Sequence, residues 1–259
     1  MKAYITFLGC LLPAVALVAQ PQIGGGTCSS ATLNGNYSAT LTGRDLTSAV
    51  AFSNSTQGIG SVTFDGLSKV TFTLTTNTNK GFGTAQTLSG TYSLQANCVG
   101  VLTITSGDAA SFALESYNQG KDYLLTGQDG VYALTGSGSI LPTTCPATLT
   151  AGVYPFNGSG LGLTSSTISS VFNVLGVIQF TGANAIAINS YVASNGSATN
   201  VSATGTYTLT PNCSATAKLT DALGNSYSLV LQFTSATGDN FILSSASPGS
   251  IYTGSGRVL

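Results

Sequence analysis

Large apolar residues recur at every second position along most of this chain, with Thr, Ser or Gln between them. Val70, Phe72 and Leu74 form one such run, and Tyr92–Leu94 and Phe112–Leu114 are shorter ones. Val174, Gly176, Ile178 and Phe180 form another, followed by Ile186–Ile188, Tyr207–Leu209 and Tyr227, Leu229, Leu231 and Phe233. A two-residue period puts the large side chains on one face, which predicts half-buried β-strands. No segment carries a sustained helical stripe. Residues 169–175 suit a helical turn or a strand, and the alternation that continues through Phe180 predicts strand. Turn signals separate the runs: Asn34-Gly35, Asp65-Gly66, Asp129-Gly130, Asn157-Gly158 and Asn195-Gly196. These dipeptides tolerate the positive φ of tight hairpins. Gly158, Gly160 and Gly162 superficially match a phosphate-binding loop, but with no helix to follow them they predict a flexible turn.

The pattern occurs twice. Thr27-Cys28…Leu33-x-Gly35-x-Tyr37 returns as Thr144-Cys145…Leu149-x-x-Gly152-x-Tyr154. Gly60…Phe64 returns as Gly176…Phe180, Gly90-Thr91-Tyr92-x-Leu94…Cys98 as Gly205-Thr206-Tyr207-x-Leu209…Cys213, and Thr135…Gly138 as Thr253…Gly256. The repeat length, about 115 residues, is that of a domain and too long for a solenoid unit. The expected fold is therefore all-β: two tandem antiparallel modules, each with about seven to nine strands. A closed barrel and a two-sheet sandwich both fit. The barrel is preferred, because closure removes edges that a weakly charged chain has few means to protect. The modules are expected at 27–139 and 144–259, joined by a linker at 140–143 with a single proline, Pro142. So short a linker predicts modules in contact.

The N-terminus adds an address. Lys2 precedes an apolar stretch that ends in small residues, with cleavage expected after Ala16 or Ala19, so residues 1–19 predict a secretory signal and 20–26 a flexible leader. Removing the signal removes Cys10 and leaves Cys28, Cys98, Cys145 and Cys213, one pair in each copy. Matched positions predict Cys28–Cys98 and Cys145–Cys213 disulfides, and hence a secreted, extracellular or periplasmic protein. No transmembrane segment is expected in the mature chain.

These motifs resemble a family of duplicated small secreted bacterial β-barrel proteins. The resemblance implies a compact barrel of calycin-like or allene-oxide-cyclase-like type. It implies no activity, and it carries no catalytic residues across. The second copy departs from the shared pattern at Thr181, where the first has Asp65, and at Pro211.

Charge and candidate chemistry narrow the function. Only 6% of residues are charged. Without Lys2, six basic residues face eight acidic ones, a net charge of −2, which excludes the basic field of a nucleic-acid binder. The chain has no histidine, so a Ser-His-Asp or Cys-His centre cannot form. The sole glutamate, Glu115, alternates with Phe112 and Leu114 and is expected to point outward; its counterpart in the second copy reads as Val230. No metal site or cofactor is expected. Arg44 and Asp45, at the end of the first strand, are the expected polar anchor of any ligand site, with Phe72 and Phe112 as its apolar wall. The reading that follows is a non-catalytic binding or surface-interaction protein, its ligand a small apolar molecule or an envelope glycan. A structural extracellular protein and a cyclase-like barrel that works by shape are the alternatives.

Overall fold

A computed structural model of the chain describes residues 27–45, 54–78, 81–106, 109–128, 132–145, 147–149, 151–164, 167–181, 184–210, 212–247 and 249–258. The expected signal and leader, and the Asp129-Gly130 turn, lie outside the described residues.

Among the described residues the alternating runs form sixteen strands. The first eight are β1 (Asn34–Asp45), β2 (Asn54–Asp65), β3 (Lys69–Thr78), β4 (Gly81–Leu94), β5 (Val99–Ile104), β6 (Ala110–Tyr117), β7 (Asp122–Gly127) and β8 (Tyr132–Ser139). The second eight are β9 (Gly152–Thr164), β10 (Thr167–Thr181), β11 (Ala185–Ser194), β12 (Ser197–Thr210), β13 (Ser214–Asp221), β14 (Ser226–Phe233), β15 (Asn240–Ser245) and β16 (Ser250–Arg257). Each set closes into an antiparallel barrel in sequence order, β8 pairing back to β1 and β16 to β9. The protein is thus a tandem pair of closed eight-stranded barrels.

Alternation decides which residues fill each barrel. Tyr37, Val62 and Phe72 share one rung across β1, β2 and β3 and point inward, while Thr63 and Thr71 beside them are exposed. In the second barrel Tyr154, Ile178 and Ile188 share the matching rung. The glycines common to both copies have a steric reason. A Cβ on Gly90 would sit 2.1 Å from the Thr103 carbonyl oxygen, and one on Gly205 would sit 1.8 Å from that of Lys218. At both points the neighbouring strand passes too close for any side chain.

The turns test the dipeptide reading. Asn195 and Gly196, with φ of 51° and 80°, make the β11–β12 hairpin. Asp65 closes the β2–β3 turn by accepting the backbone N–H groups of Leu67, Ser68 and Lys69 at 2.8, 2.8 and 2.9 Å. Two other pairs are not hairpins. Asn34-Gly35 opens β1, and Asn157-Gly158 lies inside β9, as do Gly160 and Gly162. The expected loop of Gly158, Gly160 and Gly162 is a strand, because bare backbone there lets β16 lie close: a Cβ on Gly160 would meet the Ile251 carbonyl oxygen at 2.3 Å.

Cys28–Cys98 and Cys145–Cys213 are bonded, spanning 70 and 68 residues. Each ties the segment before the first strand to the start of its barrel's fifth strand. Loop closure of that length stabilises a fold by about 4 kcal/mol in the chain-entropy account. The linker is held rather than loose. Leu141 N–H donates to Asn36 O, and Ile140 N–H to Lys121 O, both at 2.7 Å.

Candidate functional site

Both interiors are occupied by their own aromatic side chains. In the first barrel Phe64 takes Tyr92, Tyr37 and Tyr123 edge-on, at ring-centroid distances of 4.9, 5.4 and 5.5 Å. The three hydroxyls stay inside the fold as donors. Tyr37 Oη reaches Gly120 O at 2.6 Å, Tyr123 Oη reaches Ser38 O at 3.0 Å, and Tyr92 Oη lies 2.9 and 2.8 Å from Ser30 O and Leu33 O. Burial pushes the Tyr92 phenol up to about 12, with the Asp65 charge adding to it, and drives Tyr123 higher still. In the second barrel Phe180 is the centre, with Tyr154 and Tyr207 each at 5.1 Å.

The expected ligand residues divide between this core and one barrel end. Phe72 and Phe112 are buried members of the first core. Arg44 is half-buried in β1, paired with Ser55 of β2 and Ala133 of β8, and Asp45 ends the strand opposite Asn54 and Tyr132. Along β1, Phe72 belongs to the rung of Tyr37, well down the strand from Arg44. Phe72 therefore stands on a different rung from Arg44.

Asp65, Asp221 and Glu115 serve turns and walls. Asp221 accepts from Asn225 Nδ2 and Tyr227 Oη at 2.8 and 2.9 Å, and from the N–H groups of Leu223 and Asn225 at 2.9 and 2.8 Å. The Asn225 side chain first, then the other donors, holds its carboxyl below the usual range. Asp65 is lowered too: desolvation, the largest single influence, pushes it up, and its three backbone donors with the Lys69 charge together outweigh that. Glu115 sits on the outer wall between Val99 and Leu124. Its counterpart is Gln232, not Val230. Gln232 faces Ile242 as Glu115 faces Leu124, whereas Val230 faces Ser244 as Ala113 faces Thr126. Among the described residues no three His, Cys, Asp or Glu side chains gather as a metal site. No helix among them is long and apolar enough to cross a membrane.

Two surface features remain. One is a groove of about 450 Å³ outside the second barrel, across β10 to β13, lined by Val177, Gln179, Asn189, Ser202, Thr204 and Asp221 among others. The other is the contact between barrels, where β2 lies against β14, β15 and β16. Ile59 points outward from β2, since Val62 and Phe64 point inward, yet it is only 1% exposed. Beside it Asn77 is fully buried and donates through Nδ2 to Ser244 Oγ at 3.2 Å and to Ser245 O. The alternation reading treated outward positions as solvated and missed this wall. A signal was available on β10, where Val171, Leu175 and Val177 add apolar residues to the polar face and make 171–178 apolar on both sides.

No protein-family model matches the chain, and no curated protein matches it. Among solved structures it is similar to a de novo designed fluorescence-activating β-barrel, 17% identical, covering 42% of this chain and 94% of that one with a TM-score of 0.31. It is also similar to isotype 1 transferrin-binding protein B from serogroup B Neisseria meningitidis, 9% identical, covering 88% of this chain and 77% of that one with a TM-score of 0.21.

Proposed function

We propose that the protein is an exported, non-catalytic structural or surface-interaction protein that works through the outer walls of its barrels. The observation that carries this reading is the filled interior: the residues the two copies share are those that pack the barrels and bond their own hydroxyls inside. Small eight-stranded barrels either fill with side chains or hold one small ligand, and the packed aromatic centres favour the first. The apolar interior and the Ser- and Thr-rich exterior are also the reverse of a membrane-spanning barrel, which is apolar outside and polar within. The two disulfides suit an oxidising compartment outside the cytoplasm.

The test is a titration of the full chain with a fluorescent fatty acid or another apolar probe. No saturable binding is expected. Saturable binding that is lost in a folded Phe72→Ala or Phe112→Ala variant, or that needs Arg44, would overturn the reading in favour of an interior ligand. The groove supports a second reading. Gln179, Asn189, Ser202 and Thr204 offer neutral amides and hydroxyls suited to an envelope glycan. Glycan-array binding lost on Asn189→Ala and Gln179→Ala together would establish it.

A further inference from the structure

The internal repeat makes the contact between the barrels informative about surfaces outside it. The wall that the first barrel buries comprises Ser55, Gln57 and Ile59 on β2 with Asn77 and the half-buried Thr75 on β3. Gly60 matches Gly176, and Ile59 pairs with Thr75 as Leu175 pairs with Tyr191. The same wall on the second barrel is therefore Val171, Asn173 and Leu175 on β10 with Tyr191 and Ala193 on β11. There it is open: Val171, Leu175 and Tyr191 are 63%, 64% and 59% exposed. Ser, Ile and Thr in the buried copy have become Val, Leu and Tyr in the free one.

The receiving wall behaves the same way. In the second barrel it includes Ile242 and Ser244 on β15 and Val230 on β14, with Ser244 fully buried. Leu125 and Gly136 pair as Leu243 and Gly254 do, so the matching wall of the first barrel carries Leu124, Thr126 and Ala113. Glu115 of β6, between Val99 and Leu124, borders it. This wall is open as well: Leu124 is 42% exposed. A pair of tandem modules that uses one donor wall and one receiver wall internally leaves one of each free, at opposite members of the pair. Here the free donor wall is an apolar stripe, which a protein without a partner seldom presents, and the free receiver wall offers it Leu124 and Ala113 beside Thr126 and Glu115.

We infer that the occupant of each free wall is a second copy of this chain, so that molecules join head to tail, β10–β11 of one against β6–β8 of the next, repeating the barrel-to-barrel contact within the chain. Such a contact is heterologous, and it propagates into rings or filaments rather than stopping at a symmetric dimer. It lacks the Asn77 hydrogen bond, since Ala193 stands at that position, and replaces it with apolar area. The free donor wall carries no charge to pair with Glu115, so sodium chloride has little effect on the joint.

The inference rests on the reading that the outer walls, not the interiors, do the work. Its test is sedimentation velocity on the full chain from low-micromolar to near-millimolar concentration. Wild type is expected to form a concentration-dependent series beyond the dimer. Leu175→Asp and Leu124→Asp are each expected to be monomeric, while an equimolar mixture of the two forms dimers and nothing larger, since each supplies the wall the other lacks. A second variant, Tyr191→Thr, borrows the residue of Thr75 at the matching position and weakens assembly without threatening the fold. A monomeric wild type, a mixture that stays monomeric, or a single-wall variant that still dimerises would overturn the inference. Monomers in every experiment with no interior probe binding remove self-assembly alone; interior binding removes the outer-wall reading itself.

Discussion

Asn77 of the first barrel and Ser244 of the second, far apart in sequence and both without exposed surface, are joined by an Nδ2–Oγ hydrogen bond of 3.2 Å. The bond is the polar centre of a contact otherwise made by residues such as Ile59. Its amide is only half satisfied, because Asn77 Oδ1 has no partner, and neither does the nearby Gln57 Oε1.

That balance sets the expected cost of losing the bond. Asn77→Ala removes a net favourable donor and an orphaned acceptor together, so it should cost only about 1 kcal/mol. Its larger effect should fall on cooperativity. Calorimetry is expected to show the two barrels melting closer to independently in the variant than in the parent. An unchanged profile would mean the contact does not couple them.

Gly90→Ala and Gly205→Ala should each destabilise their barrel by about 3 kcal/mol or more, because the added carbon overlaps a backbone carbonyl oxygen that cannot rotate away. Gly58→Ala is the control, since its nearest neighbour is Thr76 Cγ2 at 3.4 Å. Urea unfolding compares the three.

Breaking Cys28–Cys98 by a double alanine substitution should destabilise the first barrel by about 4 kcal/mol and leave the second nearly unchanged. The reverse holds for Cys145–Cys213. Hydrogen exchange resolved along the chain distinguishes the barrels. Protection lost equally in both would show that one barrel does not stand without the other.

Stability should vary with pH at the extremes only. Buried tyrosines have folded values above the unfolded one, Tyr92 about 12 against 10.0, so their share of stability is complete below pH 10 and lost as pH rises toward 12. Tyr123 and Tyr252, both pushed up chiefly by burial, act in the same sense. Asp65 and Asp221 are lowered, so what they contribute is present above about pH 4 and lost as pH falls below it. With no histidine, the curve between has no step near neutrality. Unfolding at graded pH, with tyrosinate absorbance alongside, checks both limbs.

Tyr123→Phe removes the bond to Ser38 O and should cost about 1 to 2 kcal/mol without changing the fold, since Phe241 occupies the matching place in the second barrel. Thermal unfolding measures it. A loss much larger than this would mean the hydroxyl organises more than one carbonyl.

The strands, the duplication, the cysteine pairing and the inward set from Val70 to Phe233 were all legible in the chain, because each depends on local alternation or on a position matched between copies. Closure was only favoured by the sequence, and the structure settled it through the β1–β8 and β9–β16 pairings, which join residues about a hundred apart. Asn157-Gly158 misled because a dipeptide that permits a hairpin also permits a close strand crossing, and only the neighbouring strand selects between them. The partner of Glu115 misled because a one- or two-residue change in loop length shifts the alignment, while the ladder registers it correctly as Gln232. The walls were hidden for a deeper reason. Alternation tells which side of a strand faces its own barrel, but the fate of the other side depends on what lies across from it. Ile59 and Leu175 are nearly the same residue in the same place in two copies of one fold; one is covered and the other open solely because of where the next barrel stands.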